Sequence, residues 1–126
     1  MRIAIPRETD ANEGRVAATP ETVKRFAGLG ASVVVQSGAG LASGVTDADY
    51  QAAGATIVPD ARETLKDADI ALKVRRPGET ELSMIKPGAL VIATMDPYGH
   101  ESAVEAMARA GVSAFAMEFM PRITRA

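Results

Sequence analysis

The chain has 126 residues, of which 47% are hydrophobic and 24% are charged, a composition typical of one soluble globular domain. Its net charge of −2 gives no electrostatic reason to expect nucleic acid as a partner. The absence of cysteine excludes disulfides, thiolate metal sites and a cysteine nucleophile. The longest apolar run, 89–95, is far shorter than the roughly 20 residues of a membrane-spanning helix, so no direct membrane insertion is expected.

Six short runs rich in valine, isoleucine and alanine predict β-strands along the whole chain. Apolar and polar residues do not alternate cleanly within them, which is typical of strands that are covered on both faces. The runs are residues 2–6, 32–36, 56–58, 70–74, 90–94 and 113–117.

Helix signals fill most of the intervals between these strands. They are, in chain order, Thr19 with Pro20, Thr46 with Asp49, Asp60 with Glu63, and an amphipathic segment over 102–110 that stops at Gly111. Gly28 or Gly30 would end the first of these helices. Strands and helices in this rhythm predict an α/β fold with a doubly wound parallel sheet, a three-layer domain of flavodoxin-like or Rossmann-like type.

Ligands of such sheets bind beyond the carboxyl ends of the strands. The rule selects the polar positions that follow each predicted strand. These positions are Arg7, Glu8, Arg15, Gly38, Asp60, residues 73–77, Asp96 and residues 118–122.

The glycine-rich segment over 37–44 follows the second predicted strand and invites a dinucleotide-binding interpretation. That fingerprint requires G-x-G-x-x-G, whereas Ser43 stands where the third glycine should be. Thr46 is also the better cap for the next helix. The glycines therefore indicate a tight turn with positive φ.

Two cations form a candidate anion site. Arg15 lies in a polar loop after the first strand, and Lys73 lies at the end of the fourth strand in an otherwise apolar run. A guanidinium and an ammonium could bind a carboxylate or phosphate together in the crevice. The alternative for Lys73 is a stem that packs on the sheet with a solvated or ion-paired head, and the pattern favours neither interpretation.

The remaining candidates suit simpler roles. His100 is the only histidine, so no two-histidine metal site exists, and a surface or capping role is expected for it. Asp96 is expected to cap the following helix. Arg122 and Arg125 would suit either a segment lying over a cleft or a solvated terminus.

Several segments together resemble the N-terminal domain shared by alanine dehydrogenases and the NAD(H)-binding alpha subunits of proton-translocating transhydrogenases. They are RIAIPRE at 2–8, GRVAATPETV at 14–23, QSGAGLASGVTDADYQAAGA at 36–55 and DADIALKVRRP at 67–77. The last ten residues, MEFMPRITRA, and the KVRRP run are closer to the transhydrogenase branch.

The dehydrogenase branch fits less well. In alanine dehydrogenases, the residues matching Arg15 and Lys73 bind the carboxylate and carbonyl of pyruvate, and a catalytic histidine follows the next strand. Asp96 fills that histidine position here, and aspartate cannot act as the same acid–base group near pH 7.

The resemblance implies that residues 1–126 form the first domain of a transhydrogenase alpha subunit, whose dinucleotide-binding second domain lies outside this sequence. The complete enzyme would transfer hydride between NAD(H) and NADP(H) and couple the transfer to proton translocation. No catalytic residue is expected in this domain. Arg122 matches an arginine whose loop reaches the bound nicotinamide, whereas most contacts to NAD(H) would come from the second domain.

The implied partners are a second alpha-type protomer, in a homodimer, and the NADP(H)-binding and membrane-spanning subunits. The expected location is therefore cytoplasmic, peripheral to the inner membrane through those subunits. Two other functions remain open at this point: an alanine dehydrogenase, and a catalytically silent module that mediates assembly or binds a small anion.

Overall fold

A computed structural model describes residues 1–9, 14–75, 77–94, 109 and 111–116, and its strands lie close to the predicted positions. The strands are β1 (Arg2–Ile5), β2 (Ser32–Gln36), β3 (Thr56–Val58), β4 (Ile70–Arg75), β5 (Leu90–Thr94) and β6 (Ser113–Ala116). The helices are α1 (Pro20–Gly28), α2 (Asp47–Ala52), α3 (Ala61–Leu65) and α4 (Glu79–Leu82), with a 3₁₀ turn at Leu41–Ser43. The helix predicted over 102–110 lies outside the described residues except for Arg109, which is helical.

All strand pairs are parallel, and the order across the sheet is β3-β2-β1-β4-β5-β6. The chain builds outward from β1 to β3, then returns to the other side of β1 with β4 and builds outward again. This is the doubly wound, Rossmann-like order, and the predicted fold class is confirmed. The strand order reverses between β1 and β4, so the crevice at the carboxyl ends of these two strands is where the fold favours a ligand.

The predicted helix starts are confirmed by their caps. The Thr19 side chain accepts the N–H of Thr22 before α1, and Asp60 accepts the N–H of Glu63 at 2.8 Å before α3. Before α2, Thr46 and Asp49 form a reciprocal capping box. The bonds from the Thr46 backbone and then its hydroxyl hold the pKa of Asp49 below its usual value.

The two faces of the sheet carry separate apolar clusters. The first cluster contains Ile5, Ala18, Val23, Val33, Val35, Ala39, Tyr50 and Ala55. The second cluster contains Ala4, Leu65, Ala68, Ala71, Leu82, Ile85, Ala89, Val91, Ala93 and Val112. Neighbouring residues of β1 therefore divide between the clusters, because successive side chains of a strand point to opposite faces. Burial on both faces explains why the strand sequences do not alternate.

The last part of β4 is irregular. Leu72 pairs with Ile92, but Arg75 pairs with Thr94, so β4 contains one more residue than β5 over this interval. An extra residue of this kind is a β-bulge, which bends a strand and redirects its side chains. Lys73, one of the two predicted cations, lies within this irregular interval.

Candidate functional site between β1 and β4

The crevice begins where β1 stops pairing with β4. Pro6 follows β1 directly and has no N–H to donate to a ladder. The Glu8 carboxylate bonds to the end of β4 instead. Its two oxygens accept the N–H groups of Val74 and Arg75, both at 3.0 Å. A side chain 66 residues away in sequence from Val74 thus satisfies the backbone donors at the end of β4.

Lys73 lies on the face of the second cluster and is 2% exposed. Its Nζ donates to both carboxylate oxygens of Glu81, at 2.7 and 2.6 Å. Glu81 lies on α4, which covers this part of the sheet, and its side chain is 7% exposed. The structure therefore shows the ion-paired head that the sequence offered as one of two alternatives for Lys73.

Local sequence places Glu81 in the first turn of α4. The carbonyl of Gly78 accepts the N–H of Leu82 at 3.0 Å, which begins the helix. Glu81 is the third residue after Gly78, and its Oε1 accepts the Gly78 N–H at 3.2 Å. A glutamate at this position reaches back to the first N–H of a helix, as in one half of a capping box. The Glu81 carboxylate thus accepts hydrogen bonds both from the Gly78 N–H at the start of α4 and from the buried Lys73 ammonium.

Burial determines the energetic character of the pair. Both groups have left water, which costs several kcal/mol for each ion, and their attraction offsets that cost only with good geometry. The two short hydrogen bonds from Nζ to the Glu81 carboxylate supply that geometry. Either group without the other would be an uncompensated buried charge.

Arg15 is held on the other side of the crevice. Its side chain is exposed, and the Ser43 hydroxyl fixes its loop by donating to the carbonyl of Gly14 at 2.6 Å. Val16, which follows Arg15, packs against the first cluster. Lys73, by contrast, is covered by α4 on the opposite face. The loop that carries Arg15 therefore packs beside the first cluster, whereas Lys73 lies beside the second cluster.

The glycine-rich segment forms the predicted tight turn. Gly38 and Gly44 have φ values of 82° and 78°. Asp47 accepts the hydroxyl of Ser37 at 2.6 Å and the N–H of Gly38 at 2.9 Å. These bonds, that from Ser37 first, hold the pKa of Asp47 below its usual range. The Gly38 N–H, which a phosphate would need, is already used within the turn.

Gly40 has a different reason to be glycine. A Cβ at this position would lie 2.8 Å from both the Tyr50 ring and Val45. Tyr50 is fully buried, and its hydroxyl donates to the carbonyl of Ala18 at 2.8 Å. Burial, and then the charge of Asp47, raise the pKa of Tyr50. The turn therefore sits on a packed core and serves as scaffold for the neighbouring crevice.

Other predicted residues fall beyond the part of the chain that the structure describes. They are Asp96, His100, Arg122 and Arg125. Within the described residues, no group of three or more acidic or histidine side chains could hold a metal ion, and no helix is long and apolar enough to cross a membrane.

Sequence reasoning nominated Glu8 only through the general rule about strand ends, and it missed Glu81. A signal for Glu81 did exist. It is the third residue after Gly78, the spacing of a helix-capping glutamate, and it closely follows the strand that carries Lys73. No local pattern indicates that Glu8 would reach Val74.

Comparisons with known proteins agree with this fold. Residues 4–126 match the family model described as alanine dehydrogenase/PNT, N-terminal domain. The chain belongs to this family.

One transhydrogenase relative reaches a higher identity over the whole chain than an alanine dehydrogenase relative does. The chain is 44% identical to an NAD(P) transhydrogenase alpha subunit of Rhodospirillum rubrum, over 100% of this chain and 34% of the relative. It is 37% identical to an alanine dehydrogenase of Mycobacterium tuberculosis, over 94% of this chain and 32% of the relative.

Solved structures follow the same order. A transhydrogenase from Sinorhizobium meliloti superposes with a TM-score of 0.93 at 52% identity, covering 98% of this chain and 37% of that one. An L-alanine dehydrogenase superposes with a TM-score of 0.87 at 28% identity, covering 92% of this chain and 32% of that one. The chain thus spans about a third of the length of the relatives it matches.

Proposed function

We propose that residues 1–126 form the N-terminal domain of the NAD(H)-binding alpha subunit of a proton-translocating transhydrogenase. The observation that carries the proposal is the 44% identity to a transhydrogenase alpha subunit across the whole chain. The 52% identity to a solved transhydrogenase supports the same branch. The complete enzyme would transfer hydride between NAD(H) and NADP(H) and couple this transfer to proton movement.

In this proposal the domain acts by positioning. The Lys73 ammonium is held by Glu81, and the Glu8 carboxylate is held by two backbone N–H groups. Groups fixed in this way are suited to orienting a bound dihydronicotinamide against its acceptor, which lowers the barrier without an acid–base step. No catalytic residue is assigned to the domain.

The cofactor fits this chain only in part. The Gly38 N–H already bonds to Asp47, so the turn after β2 is poorly suited to a pyrophosphate. The crevice at the carboxyl ends of β1 and β4 would receive the nicotinamide end, and Arg15 and Lys73 are the proposed cleft residues. NAD(H) itself supplies the hydride, and a second domain outside this sequence would bind its adenosine and pyrophosphate.

The proposal also includes partners and location. A second alpha-type protomer would form a homodimer with the subunit, and NADP(H)-binding and membrane-spanning subunits would complete the enzyme. The subunit would then lie on the cytoplasmic side of the inner membrane, attached through those partners.

Arg122 is proposed to reach the nicotinamide. In the complete enzyme we expect Arg122→Ala to slow hydride transfer from NADH to NADP⁺ more than it weakens NADH binding, because a positioning contact acts mainly in the transition state. Stopped-flow measurement of the transfer and equilibrium titration of NADH separate the two effects. Arg25→Ala, which changes an exposed arginine of α1, is the control and should alter neither.

An unchanged transfer rate with only a raised dissociation constant would contradict this role for Arg122. The alternative function is an alanine dehydrogenase, supported by a relative at 37% identity and a solved structure at 28% identity. Pyruvate- and ammonia-dependent oxidation of NADH by the complete protein, without transfer to NADP⁺, would establish it. Absence of both activities after reconstitution with the remaining subunits would favour a silent assembly module.

A further inference from the structure

We infer that Ser43 is a positioning residue for Arg15, and that the glycine-rich turn after β2 serves the crevice by holding the loop that carries this arginine. The inference rests on the proposed function, in which Arg15 is a cleft residue, and it gives the turn a role other than binding a pyrophosphate. Ser43 acts through the loop backbone, because its hydroxyl contacts the carbonyl of Gly14.

The contact lies directly before Arg15. The Ser43 hydroxyl donates to the Gly14 carbonyl at 2.6 Å, between residues 29 apart in sequence. That carbonyl belongs to the peptide group that also contains the Arg15 nitrogen, and a peptide group is planar and rigid. Fixing its oxygen therefore fixes the direction in which the chain enters Arg15. The loop and the turn approach each other closely here, since a Cβ on Gly14 would lie 4.0 Å from the Ala42 carbonyl oxygen.

The chain is also anchored directly after Arg15. Residues 16–18 belong to the first cluster or pack against it. The carbonyl of Ala18 accepts the Tyr50 hydroxyl at 2.8 Å. Arg15 itself is exposed. The arginine thus lies on a short stretch of backbone that is held on both sides, and the Ser43 bond supplies the hold before it.

The turn is a firm support for this bond. The Gly40 carbonyl accepts the N–H of Ser43 at 3.0 Å, and the Leu41 carbonyl accepts that of Gly44 at 3.0 Å. Gly40 lies against the buried ring of Tyr50, which leaves no room for a Cβ. Gly44 has a φ of 78°, a conformation that favours glycine. The position of the Ser43 hydroxyl is therefore set by backbone bonds that rest on the core.

Ser43 is also the residue that departs from the dinucleotide fingerprint. The G-x-G-x-x-G spacing requires a glycine there, after Gly38 and Gly40. Glycine has no hydroxyl and could not hold the Gly14 carbonyl. The variant Ser43→Gly completes the fingerprint and therefore separates the two roles of the turn. We expect it to release the loop without tightening the binding of NADH.

Trypsin cleavage after Arg15 measures how firmly the loop is held, because a protease cuts backbone that opens locally. Mass spectrometry follows the fragments of the complete protein. Ser43→Ala and Ser43→Gly should speed this cleavage by roughly threefold or more, because one hydrogen bond is lost. Ser43→Thr keeps the hydroxyl and should be cleaved at the wild-type rate. Ser83→Ala should also leave the rate unchanged, and it is the matched control because the Ser83 hydroxyl donates to the carbonyl of Thr80 at 2.6 Å.

A double-mutant cycle tests whether Ser43 acts through Arg15. In the assembled transhydrogenase we expect Ser43→Ala to slow hydride transfer from NADH to NADP⁺ by roughly twofold to tenfold, the range that one hydrogen bond supplies. In an Arg15→Ala background the same substitution should change the rate little, because the residue that it positions is gone. A substitution that merely weakened the fold would act equally in both backgrounds. Stopped-flow measurement gives the four rates, and equilibrium titration gives the NADH dissociation constants.

Three results would overturn the inference: cleavage after Arg15 no faster in Ser43→Ala than in wild type, an equal slowing in both backgrounds of the cycle, or tighter NADH binding in Ser43→Gly. Failure of the proposed function gives a different result. If Arg15→Ala transfers hydride and binds NADH as the wild type does, Arg15 is not a cleft residue and the proposed use of the crevice fails. The cleavage rates still decide whether Ser43 holds the loop.

Discussion

The glycine-rich turn after β2 and the crevice between β1 and β4 use the same kind of contact, but over very different separations in sequence. In each, a carboxylate accepts a backbone N–H that the sheet leaves unpaired. Asp47 reaches Gly38 across nine residues, whereas Glu8 reaches Val74 across 66. The turn is therefore built by its own sequence, and the crevice by segments that meet only in the folded chain.

The two regions also differ in what they bury. The turn packs on the buried, uncharged phenol of Tyr50 in α2, whose hydroxyl donates to one carbonyl. The crevice buries two full charges, Lys73 and Glu81. A buried charge is costly and sensitive to its partner, which makes it suited to recognising a ligand. The turn is scaffold, and the crevice is where we expect ligand chemistry.

Breaking the buried pair should give the largest effect. Lys73→Met leaves Glu81 as an uncompensated buried charge, and we expect it to lower the free energy of unfolding by about 3–5 kcal/mol. Urea unfolding followed by circular dichroism measures the loss. Arg25→Met breaks the exposed pair with Glu21, at 3.1 Å, and should cost at most about 1 kcal/mol.

The double variant Lys73→Met with Glu81→Leu sharpens this prediction. It removes both charges and should recover much of the lost stability, because apolar residues can replace a buried ion pair. Equal losses for Lys73→Met and Arg25→Met would mean that burial does not distinguish the two pairs.

A larger residue in the glycine-rich turn should have an intermediate effect on stability. In Gly40→Ala the new methyl group would lie 2.8 Å from the Tyr50 ring, so the core must shift, at a cost of about 1–3 kcal/mol. Gly28→Ala is the matched control, because nothing lies within 4 Å of its Cβ. Thermal unfolding of the two variants compares them directly, and a Gly40→Ala protein as stable as Gly28→Ala would contradict the packing argument.

The smallest effect should appear at low pH. Bonds from Ser37 and Gly38 lower the folded-state pKa of Asp47, so its stabilising contribution is complete above the unfolded value and is lost as pH falls through the folded one. Below about pH 4, the free energy of unfolding should therefore fall less steeply with pH in Asp47→Asn than in wild type. The difference between the two acid-induced losses should total less than about 1 kcal/mol.

Urea unfolding at several pH values tests this prediction. Ser37→Ala removes the main bond to Asp47 while keeping the carboxylate, and should flatten the pH dependence in part. If the free energy of unfolding falls as steeply with acid in Asp47→Asn as in wild type, the Asp47 carboxylate does not contribute to the pH dependence of stability.

Local physics made much of the fold predictable. Thr19, Thr46 and Asp60 cap helices as expected, because a cap depends on a side chain and an N–H only two or three residues apart. The strands are within one residue of their predicted limits, because β-propensity and flanking turn residues act over the same short range. Thr46 with Asp49 forms the full capping box although aspartate is not the usual partner, which shows that spacing outweighs the choice of acid.

The sequence by itself therefore determined the six strands, the starts of α1, α2 and α3, the parallel doubly wound class, the glycine turn and, through resemblance, the family. Only the tertiary structure decided that Lys73 pairs with Glu81 and that Glu8 closes the end of β4. Those contacts depend on the β4 bulge, on where α4 begins and on which strands become neighbours. A charged side chain can pair with any opposite charge within reach, and only the folded chain determines which charges come within reach.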